Sequence, residues 1–103
     1  MTYGVVVDVA APAEMYDALH HEVVRSPEAE VEGLLLHVGR ATSTGFQVIE
    51  VWTDKDRYDR YNEDVVFPAA ARLGEGQSGP PPQTRTEEFE VRGLVLPAAQ
   101  LVR

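Results

Sequence analysis

The chain contains no cysteine, which removes disulfides, thiolate metal sites and cysteine nucleophiles from consideration. Basic residues are scarce: 9 Lys and Arg stand against 17 Asp and Glu, a formal net charge of −8. Nucleic-acid affinity needs clustered Lys and Arg, and anionic membranes attract the same residues, so neither partner is expected. Long apolar runs are also missing. No segment approaches the roughly 18 apolar residues of a membrane span. The N-terminal MTYGVVVDVAAPAE lacks the basic region of a signal peptide. These absences point to a soluble, cytoplasmic chain and leave neutral or weakly polar small molecules open as ligands.

What is present describes an ordinary globular domain. With 103 residues, 44% hydrophobic and 25% charged, residues 1–103 form one domain. A monomer of this size buries only about two-thirds of its unfolded surface, so a subunit interface would add stability.

The pattern along the chain alternates strands and helices. Tyr3–Val9 (YGVVVDV) is apolar on both faces, the mark of a strand central in its sheet. Pro12 suits the first turn of a helix and Glu14 its macrodipole. Met15, Leu19 and Val23, with Tyr16 beside them, form one apolar stripe over Pro12–Ser26. Ser26-Pro27 ends that helix, and PEAEVE is an acidic connector. A second strand is expected over Gly33–Val38 and a third over Phe46–Thr53, joined by GRATSTG, with Gly45 supplying a positive φ. On the third strand Phe46, Val48, Glu50 and Trp52 share one face.

Thr53-Asp54-Lys55-Asp56 resembles a capping-box helix start, with Tyr58, Tyr61 and Val65 following at helical spacing. Pro68 requires the helix to bend or restart near Phe67. Gly74–Gln83 is a polar Gly/Pro loop, and Thr86–Val95 reads as a partly wet edge strand. The order β-α-β-β-α-β is the ferredoxin-like α+β arrangement, a four-stranded antiparallel sheet with two helices on one face. The other face is bare, yet strands one and three are apolar on both sides. A second copy of the sheet is the expected cover, giving a homodimer with an eight-stranded, barrel-like core.

Within this frame His37 is the sharpest candidate for chemistry, because it interrupts an otherwise apolar strand. A two-residue loop at Ser43-Thr44 places it opposite Glu50, where a His–carboxylate pair acts as general base; a one-residue register change breaks the pairing. Glu50 is costly to bury unpaired, so it has a partner among His37, Arg92 and Tyr3, or it faces a wet cavity. Trp52 belongs either to a pocket wall or to the core. Tyr16 and His20, four apart on helix one, border the stripe, and His21 points to solvent. The expected small-molecule pocket lies between sheet and helices, with His37, Glu50 and Trp52 as its lining and Tyr16, His20 and Phe67 near its mouth.

Other chemistries lack support. Adjacent His20 and His21 lie about 100° apart on a helix, and no HxxxH, HxH or clustered-acid spacing occurs, so no metal is expected. GEGQSG lacks the lysine and the strand-to-helix context of a phosphate loop. Neither Ser26, Ser43 nor Ser78 sits on a nucleophile elbow.

Three stretches carry a resemblance that covers nearly the whole chain: GLLLHV in strand two, GFQVIEVWT in strand three and PAAARLG late in the second helix. On these the chain resembles the dimeric α+β barrel superfamily, most closely the antibiotic-biosynthesis monooxygenase-like small barrel proteins. The resemblance implies a homodimer without cofactor. It also implies a cofactor-independent monooxygenase, cyclase or isomerase acting on an aromatic or polyketide-like metabolite, or else a non-catalytic barrel that binds a ligand or a protein. Trp52 matches the strand-end tryptophan that faces the cavity in some monooxygenase members. Those members carry an asparagine four residues earlier on that face, where this chain has Val48. Haem-degrading members carry an axial histidine on the second helix, and Asp54–Leu73 contains none.

Overall fold

The computed structural model describes residues 2–24, 31–74 and 82–96. The helix stop at Ser26-Pro27, most of the acidic connector, most of the Gly/Pro loop and the last seven residues lie outside them. The elements run β1 (Tyr3–Val9), α1 (Ala13–Val24), β2 (Leu34–Thr42), β3 (Gly45–Trp52), α2 (Lys55–Tyr61), a π-helical turn (Asn62–Val66), α3 (Phe67–Gly74) and β4 (Thr84–Glu90). All pairings are antiparallel and the strand order is β2-β3-β1-β4. The valine-rich β1 and the two-sided β3 are therefore central, and β4 is an edge, as their patterns require.

The β2–β3 hairpin is tighter than the sequence pattern suggests. Thr42 pairs with Gly45, so the loop is Ser43-Thr44 alone and β2 extends four residues beyond Val38. Glycine at position 45 is a steric requirement, since a Cβ there would lie 2.1 Å from the Val9 carbonyl oxygen. This turn fixes the register that sets His37 opposite Glu50. A bulge between Leu34 and Leu36 then brings Leu34 opposite Trp52.

Alternation along β3 divides the sheet. Phe46, Val48, Glu50 and Trp52 face the helices, together with Tyr3, Val5, Val7 and Val9 of β1. Val5, Phe46, Trp52, Val65 and Ala69 are buried between the layers. Trp52 is 0% exposed, packed on Tyr58 and Tyr61 at ring-centroid distances of 6.0 and 5.4 Å. Burying an aromatic ring removes roughly 150–250 Å² from water, worth about 4–6 kcal/mol as an upper estimate. Met15 is exposed, so the inward stripe of α1 runs through Tyr16, Leu19 and Val23 instead.

Two local expectations are corrected and one is met. The second helix starts from Asp54, not Thr53: Asp54 Oδ1 accepts the Arg57 N–H at 2.9 Å. Thr53 is still tied to the sheet, its N–H donating to the Gly33 carbonyl at 2.8 Å. The restart expected near Phe67-Pro68 is met, directly behind the π-helical turn. Phe67 N–H donates to Asn62 O, five residues back, and α3 restarts at Phe67. β4 stops at Glu90, so Val91–Val95 adds nothing to the sheet. On the opposite face Phe89 lies over Gly4, and Val38 and Phe89 are 40% and 37% exposed.

The Asp54 carboxyl is held below the usual range by the Arg57 backbone N–H above all; desolvation opposes this, and the Arg57 guanidinium adds to the lowering. A depressed carboxyl stabilises the fold above its unfolded pKa, and that contribution disappears as pH falls through the folded value. Asp54→Ala is expected to melt below the parent chain at neutral pH. Paired melting curves should converge once the pH drops below the carboxylate range; a gap that persists there would contradict the cap.

Candidate functional site

The helix-facing side of the hairpin carries a continuous chain of hydrogen bonds. Trp52 Nε1 donates to Glu50 Oε1 at 3.1 Å, Glu50 Oε2 lies 2.6 Å from His37 Nδ1, and His37 Nε2 lies 2.7 Å from the Tyr16 hydroxyl. An indole N–H can only donate, so Glu50 Oε1 accepts one hydrogen bond from Trp52. The short contact on its other oxygen is satisfied by an Nδ1–H on His37. That tautomer leaves Nε2 with a lone pair, which the Tyr16 hydroxyl fills as donor. Each residue thus fixes the proton position of the next.

Each side chain is placed by a local rule. Glu50 and Trp52 are two apart on β3 and so share its inner face. His37 is set beside Glu50 by the hairpin register. Tyr16 arrives from α1, and its approach depends on Gly39. A Cβ at residue 39 would stand 2.2 Å from the Tyr16 ring. Glycine in a strand often marks such a close approach. That was the available signal, although Gly39 reads from sequence as part of a loop.

The rings form a cluster around this chain. Tyr16 stacks on His20 and His37 at 5.6 and 6.0 Å, His20 and His37 are 5.8 Å apart, and Phe46 tilts against Tyr16 at 5.7 Å. Burial holds the Tyr16 phenol above the usual tyrosine range, and the charges of Glu50 and Asp17 push it further the same way. Tyr61 is raised by burial and then by Glu50. Tyr16 is therefore a neutral hydroxyl at neutral pH, free to donate. The His37 and Glu50 side chains are 29% and 12% exposed, so the chain of bonds runs from the core to an open flank.

The structure thus brings Tyr16, His20, His37, Glu50 and Trp52 together. Phe67 stands apart, 61% exposed at the start of α3, and the described ring contacts of the cluster do not include it. Of the partners considered for Glu50, His37 is the one found. Tyr3 packs on Tyr58 at 5.3 Å, and Arg92 pairs with Glu90 at 3.7 Å. His21 is exposed. A shallow depression of about 520 Å³ lies at the other end of β3, lined by Ala10, Pro12, Glu14, Thr42, Thr44 and Gly45 among others. It touches none of the clustered residues. Among the described residues no three His, Asp or Glu side chains converge as a metal site would need, and no helix is long and apolar enough to cross a membrane.

No protein-family profile and no curated protein matches the chain. Solved structures do. A variant of SnoaB, a cofactor-independent oxygenase from Streptomyces nogalater, superposes with a TM-score of 0.63 at 21% identity, over 94% of this chain and 98% of that one. A Caulobacter crescentus protein provisionally designated an antibiotic biosynthesis monooxygenase gives 0.64 at 18%, over 87% and 89%. A variant of MhuD crystallised with two manganese protoporphyrin IX molecules per active site gives 0.53 at 18%, over 92% and 98%. At these identities the likeness establishes the fold alone, the ferredoxin-like α+β arrangement that this chain shares with those solved structures.

Proposed function

We propose that the chain is a cytoplasmic, homodimeric small-molecule-binding protein that acts as a cofactor-independent enzyme on an aromatic or polyketide-like metabolite. The observation that carries this reading is the hydrogen-bonded sequence Trp52–Glu50–His37–Tyr16 ending at an exposed flank rimmed by aromatic rings. Rings offer stacking surface to a planar ligand. A carboxylate-backed imidazole offers a place for its proton, with Glu50 fixing the tautomer and stabilising the imidazolium that forms. Proton removal is the step shared by the isomerisation, cyclisation and oxidation chemistries open to a protein of this kind. SnoaB, of like fold, is described as a cofactor-independent oxygenase, which is consistent with chemistry of this kind on the same scaffold.

A second reading has its own observation. Both Glu50 oxygens and both His37 nitrogens already have partners within the chain. In a non-catalytic barrel that binds a ligand or a protein, the same bonds only make a charge tolerable beneath the helices.

The dimer reading rests on the face away from the helices, where Val6, Leu36, Val38, Ile49, Val51 and Phe89 share one side of the sheet. Strand ladders with apolar residues on both faces need cover on both.

His37→Gln separates the two functional readings. The catalytic one expects kcat/KM to fall by roughly 10²–10⁴ in a variant that still folds and dimerises. If the variant instead loses about 1–3 kcal/mol of stability yet turns over and binds normally, His37 is structural. For the assembly, sedimentation at micromolar concentration should report a dimer. Val38→Glu, which puts a charge on an exposed position of the open face, should weaken that dimer at least tenfold (~1.4 kcal/mol) without lowering monomer stability. A monomeric parent chain would end the barrel reading.

A further inference from the structure

The geometry of the cluster assigns the proton-exchanging atom more narrowly. We infer that the Tyr16 phenolic oxygen, and not a ring nitrogen of His37, is the atom that exchanges a proton with the bound ligand. The ligand is an aromatic molecule carrying an acidic O–H or C–H. This rests on the proposed ligand site and refines which atom works in it. His37 has no free nitrogen: Nδ1 is engaged by Glu50 at 2.6 Å and Nε2 by Tyr16 at 2.7 Å. Among the described residues, the hydrogen bond to His37 is the one that Tyr16 makes. A hydroxyl has one proton and two lone pairs, so its oxygen retains acceptor capacity when its proton is given to Nε2.

The proton inventory then closes without any other reactant. The ligand's X–H bond breaks and its proton forms a new O–H bond at Tyr16. The original Tyr16 O–H breaks, and that proton forms an N–H bond at His37 Nε2. The products are a ligand anion hydrogen-bonded to a neutral phenol, an imidazolium and the Glu50 carboxylate. The negative charge that Glu50 keeps on the inner face stabilises the imidazolium. Tyr16 never becomes a tyrosinate, which suits a phenol held protonated by its surroundings.

The position of the hydroxyl is set by packing as well as by the bond. The ring rests on Gly39, with His20 stacked on it and Phe46 tilted against it. Asp17 and His20 on α1, with His37 and Glu50 on the sheet, are the titratable groups placed around the hydroxyl by its contacts and by the charges acting on it. Among these, His37 alone is hydrogen-bonded to it.

Two probes of the same shape test the assignment. 4-Nitrophenol has an acidic proton whose loss is visible by absorbance; 4-nitroanisole has the same ring and nitro group and no such proton. In the parent chain the bound phenol should ionise at least one pH unit below the free phenol, a tenfold preference for the anion. The ratio of the 4-nitroanisole Kd to the 4-nitrophenol Kd should fall about tenfold in Tyr16→Phe and again in His37→Gln. Should either variant fail to fold, the other still carries the comparison. If the phenol shift persists in Tyr16→Phe, another group takes the proton and the assignment is wrong. If it persists in His37→Gln, Tyr16 acts alone and the relay is wrong. If 4-nitroanisole does not bind the parent chain, the ligand site itself is refuted, and this inference falls with it.

Discussion

The constraint on which the site depends is a negative charge placed on the inner face of a sheet. Glu50 follows Val48 and precedes Trp52 on β3, beneath the helices, where an unpaired carboxylate costs several kcal/mol. The structure meets it with two N–H donors, one on each oxygen. Both donors depend on the sheet. Trp52 is held by its place two residues along β3 and by the rings of Tyr58 and Tyr61. His37 is held by a hairpin whose loop cannot change length without removing the partner. The turn at Ser43-Thr44 therefore does more than reverse the chain, because it sets the electrostatics of a site some distance from it.

Much of this was legible in the residues. The element order, the central places of β1 and β3, the edge position of β4 and the break near Pro68 all follow from local pattern. So does the pairing of His37 with Glu50, once the loop is taken as two residues. What could not be read lies in contacts between distant parts of the chain. Gly39 owes its role to a ring 23 positions earlier on another element, and a lone glycine after His37-Val38 looks like the start of a turn. The choice between Thr53 and Asp54 as helix cap depends on whether Thr53 is still bonded to Gly33, which is a tertiary fact. Trp52 could be assigned to wall or core only after Tyr58 and Tyr61 were seen to enclose it.

The cluster also separates two demands that a small domain sets against each other. The buried end, Trp52 with its tyrosines, supplies packing. The exposed end, His37 with His20 and Tyr16, supplies reach into solvent. Glu50 joins them, so a change that loosens the core at Trp52 also removes an N–H from the carboxylate and alters the proton positions along the rest of the chain.

The π-helical turn at Asn62–Val66 has a consequence for how this domain can vary. One extra residue in a turn offsets everything beyond it by about 100° relative to a regular helix. Tyr58 and Tyr61 ahead of the turn face Trp52, and Val65 and Ala69 within and beyond it reach the buried layer. Removing a single residue between 62 and 66 would restore an unbroken helix with its two halves in their present phase. Removing two would turn one half against the other by about 100°, and either the tyrosines would leave the tryptophan or α3 would lose its seat. Indels in this segment are therefore tolerable only when they restore the phase, so the length of the helix between Tyr61 and Pro68 is constrained more tightly than its sequence.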